Sequence, residues 1–293
     1  MENKKTFIIV GIVAIIIFAV ILTIIIIDSN SDKEEDRGTS NTTSTSKTKE
    51  NTVKTEEKEN EEEKTEEAEN VIEETEKTEE KEEEFDYLEA AEEQMSTAKS
   101  GETIAIMHVK GYGDITFKFF DDKAPKAVEN FLTHAKEGYY DGVKFHRVME
   151  EFMIQGGDPK GDGTGGESIW GKGFEEELDQ GLVPYRGALC MASAGTGTSS
   201  LGSQFFIVQA HADEEQANMM SLYGYPESLT KAYEKYGGYL SLYGYYTVFG
   251  QVIDGMDTVD KIAKVEKTIS STGELSVPVS DIVIESIEVK NQK

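Results

Sequence analysis

From residue 29 to residue 84 the chain is built of Glu, Lys, Thr, Ser and Asn, with almost no large apolar side chain. Nothing else in the sequence limits its folding so strongly. Such a stretch cannot bury enough surface to offset the entropy of ordering it, so it is expected to be disordered or transiently helical. It divides the 293 residues into unequal parts. Before it lies an apolar run at 7–27, interrupted only by Gly11 and Thr23. After it, residues 101–293 mix apolar, aromatic and glycine residues as a globular domain does.

At a rise of 1.5 Å per residue, a run of about 21 residues spans roughly 31 Å, the thickness of a hydrocarbon core. Lys4 and Lys5 precede the run and Asp28 follows it. The positive-inside rule then puts residues 1–6 in the cytoplasm and the rest outside. No Ala-x-Ala pattern ends the run and no cysteine stands beside it, so an uncleaved signal anchor is expected rather than a cleaved signal peptide. The sequence thus predicts a single-pass cell-membrane protein with its globular domain extracellular. The acidic linker, 28–84, reads as a spacer; a flexible chain of ~70 residues reaches very roughly 50 Å. Phe85, Leu88, Ala91 and Met95 recur at helical spacing and predict a short lead-in helix within 85–100.

The net charge of −28 argues against nucleic acid and against anionic lipid heads as partners. It is densest before the globular part: residues 28–100 carry 27 acidic and 10 basic side chains. The one cysteine, Cys190, lies in the apolar run Ala188-Leu189-Cys190-Met191-Ala192, which fits a buried structural thiol.

Within 101–293 the dominant signal is period-two alternation. Thr103-Ile104-Ala105-Ile106-Met107-His108-Val109 and Ile115-Thr116-Phe117-Lys118-Phe119 flank the hairpin signal Gly111-Tyr112-Gly113-Asp114. Pro125 opens a helix whose Val128, Phe131, Leu132 and Ala135 share a face until Gly138. Short strands are expected around Phe145, Met153, Leu189, Phe205 and Val248. A second helix is expected at 255–265, and a closing strand at 282–289. Many short antiparallel strands with few helices predict a mainly β fold, a closed barrel with helices plugging its ends.

Two runs mix residue types that seldom share a strand pair without a reason. Phe145-His146-Arg147 is followed by Phe152-Met153-Ile154-Gln155-Gly156-Gly157-Asp158; later comes Gly202-Ser203-Gln204-Phe205-Phe206-Ile207. With Ala124-Pro125, Asn130-Phe131, Tyr139-Tyr140-Asp141-Gly142, the glycine-rich 161–166 and Val248-Phe249-Gly250-Gln251-Val252, they resemble the segments of the cyclophilins, peptidyl-prolyl isomerases of the cyclosporin-binding type. The resemblance covers about 101–293 and is nearest to bacterial, Gram-positive-type members. It implies an eight-stranded antiparallel barrel capped by two helices, with proline-containing polypeptides as partners and no cofactor or metal.

The chemistry suits the residues. An X-Pro amide rotates over a barrier of ~18–20 kcal/mol. Twisting returns the lone pair to the prolyl nitrogen, and a fixed guanidinium that donates to it favours the twisted state. By resemblance this falls to Arg147, with Gln155 and Phe206 as the other catalytic positions. Phe152, Met153, Phe206 and Leu242 would line the proline pocket, with Ala192 and Ala194 at its rim and Tyr246 nearby. Gln204 would hold the peptide or position Arg147. The Ser193 backbone would pair with substrate as an added strand, and Gly163 would border the next subsite.

The chain departs from the family pattern in places. In Ser241-Leu242-Tyr243-Gly244-Tyr245-Tyr246, Ser241 replaces a Trp that contacts cyclosporin, which implies weak cyclosporin binding. Tyr246 replaces a His. The loop 195–201 is about two residues longer than usual, and 212–238 is an insertion with a predicted short helix at 228–236. Residues 158–167 lack the alternating ligands of a calcium loop, and the four histidines lack metal spacing. Strand alternation would put His146 on the face opposite Arg147. The alternative to an isomerase is a proline-peptide-binding surface chaperone or adhesion module with little turnover.

Overall fold

The computed structural model describes residues 84–193 and 200–293. The cytoplasmic, membrane-anchor and linker expectations for 1–83 and the rim position Ala194 lie outside the described residues. Among those described, no helix is long and apolar enough to cross a membrane.

In chain order the elements are α1 (Tyr87–Met95), β1 (Thr103–Val109), β2 (Gly113–Phe119), α2 (Pro125–Lys136), β3 (Arg147–Met149), β4 (Met153–Gly156), β5 (Ala188–Ser193) and β6 (Leu201–Val208). Then come α3 (Glu214–Leu222), α4 (Glu227–Tyr236), a 3-10 turn (Leu240–Leu242), β7 (Val248–Asp254), α5 (Met256–Ala263), β8 (Lys267–Ile269), β9 (Leu275–Pro278) and β10 (Ile284–Asn291).

Eight strands form one antiparallel sheet in the order β10-β1-β2-β7-β5-β6-β4-β3, and β8 and β9 form a separate hairpin. The sheet curls but does not close into a barrel. No ladder joins the end strands β3 and β10. Instead a single isolated bridge, Lys144 to Val283, spans the gap. Phe145 N–H donates to Ile282 and Ile284 N–H to Val143, each over 2.9 Å. The expected closed barrel is therefore corrected to a curled open sheet. Closure fails because β3 holds only three residues and the chain leaves it at once for the turn to β4.

Alternation decides which side chains the curl encloses. Ala105, Met107 and Val109 of β1, Ile115 and Phe117 of β2, and Phe205 and Ile207 of β6 turn inward and are buried. Two helices cover this core. Val128, Phe131 and Ala135 of α2 and Val259, Ile262 and Ala263 of α5 complete it. Pro125 at the first turn of α2 gives up no hydrogen bond there. The next two N–H groups, of Lys126 and Ala127, donate to the Glu177 carboxylate over 3.1 and 3.0 Å.

A second cluster lies outside the sheet. Tyr87 and Ala91 of α1 pack with Ala217 and Met220 of α3, Leu229 and Tyr233 of α4, and Val183, Tyr185 and Tyr243. The insertion is thus two helices rather than one. The buried face of α1 carries Tyr87, Ala91 and Gln94, while Phe85 is exposed. Gln94 joins this face beside the partly buried Leu88 and Met95. Its amide donates to Val183 O at 2.8 Å and accepts from Val183 N–H at 3.1 Å, so a polar residue is buried with its bonds satisfied.

Candidate active site

Register aligns the site. Across the ladder Arg147 faces Gln155, Gln155 faces Phe206, and Phe206 faces Cys190. One step along, Met149 faces Met153 and Met153 faces Val208. Residues opposite one another share a sheet face. Arg147, Met149, Met153, Gln155 and Phe206 therefore line up on the side away from the enclosed core. Val148, Ile154 and Ile207, between them, enter that core.

The apolar part of this face is continuous. Met153, Ala192, Phe206, Leu242 and Val248 are buried in one cluster, with Phe152 and Tyr246 half-buried against it. The Tyr246 ring meets Phe206 edge-on at 5.3 Å, and Phe152 packs on Tyr239 at 4.4 Å. Six predicted pocket residues, Phe152, Met153, Ala192, Phe206, Leu242 and Tyr246, from four separate stretches of sequence thus come together. Ser241 beside them is exposed.

Arg147 stands at the rim, with its side chain 33% exposed. Its guanidinium lies 5.5 Å from the Phe152 ring centre. Nη1 donates to Gln155 Oε1 at 3.4 Å, and Nη2 lies 3.4 Å from Met149 Sδ. Nε and Nη2 donate to the two carboxylate oxygens of Glu274, each over 2.7 Å. Neither Glu274 nor Met149 is among the residues the sequence singled out.

Behind Arg147 the amides form a directed chain. Gln155 Nε2 donates to Gln204 Oε1 at 3.0 Å, and Gln204 Nε2 donates to the carbonyls of Gly163 and Gly165 at 3.1 and 2.8 Å. That loop is wound on the buried carboxylate of Asp158, which accepts from the N–H groups of Lys160, Asp162 and Gly163. Gly163 has φ of +86°, and a side chain there would stand 3.6 Å from His146 Nε2. His146 precedes β3 rather than lying within it. Phe145 and Val148, three apart, both enter the core, so strict alternation does not reach His146. Its ring rests near this loop, and burial lowers its pKa. Ser193 ends β5 opposite Leu201, its hydroxyl 2.5 Å from that of Ser200.

A curled antiparallel sheet with two covering helices, bearing an arginine at the rim of an apolar pocket, defines a cyclophilin-type site. The sequence profile described as cyclophilin type peptidyl-prolyl cis-trans isomerase/CLD matches residues 104–289. A Staphylococcus saprophyticus protein named as a peptidyl-prolyl cis-trans isomerase is 47% identical over 196 residues, covering 67% of this chain and 96% of that one. A Staphylococcus aureus protein of the same name is 48% identical over 195 residues, covering 66% and 94%. The crystal structure of a Cryptosporidium parvum cyclophilin type peptidyl-prolyl cis-trans isomerase superposes with a TM-score of 0.52 at 31% identity, covering 66% of this chain and 99% of that one. The same protein in the presence of the dipeptide Ala-Pro gives 0.51 at 32%. This chain belongs to the cyclophilin-type peptidyl-prolyl cis-trans isomerase family, and its enzyme class is that of the peptidyl-prolyl isomerases.

Proposed function

We propose that the chain accelerates X-Pro rotation in exported polypeptides through Arg147, with the proline ring seated against Met153, Phe206 and Leu242. The observation that carries this is the placement of Arg147. Its guanidinium is tied down at the rim of an apolar face, and its outer end lies beside two thioether sulfurs, which are weak acceptors that a peptide readily replaces. A planar amide makes little use of a donor aimed at its nitrogen, whereas a twisted one does. The interaction therefore strengthens toward the transition state. Rotation breaks no covalent bond, so no nucleophile or proton transfer is called for.

Proline-containing peptides are the partners this pocket fits. The exposed Ser241 offers no indole to a cyclic inhibitor, so cyclosporin binds weakly. The apolar run at 7–27 and the lysines before it support a membrane anchor with the isomerase outside the cell, where it meets newly exported chains.

A protease-coupled cis/trans assay on the full chain in mild detergent, beside Arg147→Ala, tests the reading. The expected loss is on the order of 10²–10³-fold. A wild-type chain that binds proline peptides without accelerating rotation would leave only the binding-module alternative. Cleavage of the domain by protease added to intact cells tests its location; a protected domain refutes it.

A further inference from the structure

The side chain that fixes the direction of Arg147 comes from the far end of the domain. Glu274 sits where the turn 270–273 enters β9. The turn is held by Ser270 N–H donating to Glu274 O at 2.7 Å and by Gly273 N–H donating to Ser270 O at 3.0 Å. Gly273 takes φ of +88°, a conformation other side chains rarely adopt. One residue beyond Leu275, Ser276 is 1% exposed. The backbone that carries Glu274 is thus fixed by the turn itself.

A guanidinium has five N–H groups on two usable edges. Glu274 occupies the edge formed by Nε and Nη2, with both bonds at 2.7 Å. Gln155 lies on one side of Nη1. The donors that remain, one each on Nη1 and Nη2, point to the end beside Met149 and Met153, where among the described residues only sulfur stands, at 3.4 and 3.9 Å. The carboxylate therefore takes the edge away from the pocket and leaves the end edge to an incoming peptide. Bidentate pairing also stops the planar group from rotating, which a single hydrogen bond would allow.

We propose that Glu274 is the positioning residue for Arg147, and that the β8–β9 hairpin is part of the active site because it delivers this carboxylate. The inference rests on the catalytic role proposed for Arg147. It concerns alignment rather than charge alone, so loss of Glu274 slows the chemical step more than it weakens peptide binding.

The test is a double-mutant cycle on the full chain with kcat and KM measured separately: wild type, Glu274→Gln, Arg147→Ala and both together. Glu274→Gln keeps the shape and removes one acceptor and the charge. The expected result is kcat lower by about tenfold with KM within about twofold, and no further loss when Glu274→Gln is added to Arg147→Ala. Glu274→Asp, which keeps the charge but is shorter, recovers part of the rate. The inference is overturned if Glu274→Gln matches or exceeds the wild-type rate, or if it slows the Arg147→Ala chain by the same factor, since that marks a merely structural role. Should Arg147→Ala itself retain the full rate, the role of Arg147 fails first and takes this one with it.

Discussion

The Gln155 amide donates to the Gln204 carbonyl oxygen over 3.0 Å, and this bond joins the rim that holds Arg147 to the glycine loop. Each amide in the pair has its oxygen and its nitrogen engaged, so neither can flip without losing bonds on both sides. Gln204 is only 3% exposed. Gln204→Leu would strand the Gln155 N–H and remove the donor to Gly163 and Gly165. We expect a loss of about 2–3 kcal/mol in urea unfolding, as for buried polar groups left unpaired, and a raised KM for proline peptides.

Phe206 lies 4% exposed in the middle of a three-strand register, between Gln155 and Cys190. Truncating Phe206→Ala should cost about 3–5 kcal/mol and loosen the Tyr246 ring that leans on it. Phe206→Leu retains most of the volume. It should keep the fold and weaken peptide binding, which titration calorimetry with an Ala-Pro peptide would show as a lower affinity.

Acid should act on the rim through Glu274. The hydrogen bonds from Arg147 hold its carboxyl below the ordinary value, against a smaller opposing effect of burial. Because the folded value lies below the unfolded one, the pair's contribution is complete above the unfolded pKa and is lost as pH falls through the folded one. Unfolding free energy measured from neutral pH to below about pH 4 should drop on acidification, and Glu274→Gln should flatten part of that slope. An unchanged slope counts against the pair.

Cys190 is fully buried opposite Phe206, and burial pushes its thiol pKa up. An aromatic disulfide reagent should leave it unmodified in native buffer and react with one thiol per chain in denaturant. Rapid labelling of the native chain would mean that the pocket face opens far more readily than its packing implies.

The lead-in helix belongs to the folded unit. Ala91 is fully buried, and Tyr87 and Gln94 nearly so. A chain beginning at residue 101 should therefore unfold at lower urea than one beginning at residue 84, and should show new apolar surface by dye binding. Equal midpoints would mean that α1 contributes nothing.

Most of the pocket was legible because its residues lie in short local motifs. Arg147 with Gln155, and Gln204 with Phe206, are each separated by less than ten residues, so one stretch announces each pair. Glu274 had no such signal. It lies 127 residues from Arg147, in a Ser-Ser-Thr-Gly-Glu turn that reads as solvent-exposed loop. The alternation of β1, β2 and β10 predicted strands correctly, but strand count alone cannot say whether the two ends of a curled sheet join. That depends on the length of β3, which the turn at 150–152 cuts short. On α1 the apolar spacing read Leu88, Ala91 and Met95 correctly, whereas Phe85 is exposed and the satisfied amide of Gln94, which no apolar pattern announces, joins the buried face.

The first strand of the sheet has the last as its outer neighbour: β1 pairs with β10 from Thr103 to Val109. A polypeptide made from its N-terminus must therefore leave one side of β1 unpaired until residues 284–291 have followed. The sheet cannot be completed piecemeal as the chain emerges. This member of the peptidyl-prolyl isomerase family is itself committed to waiting for β10.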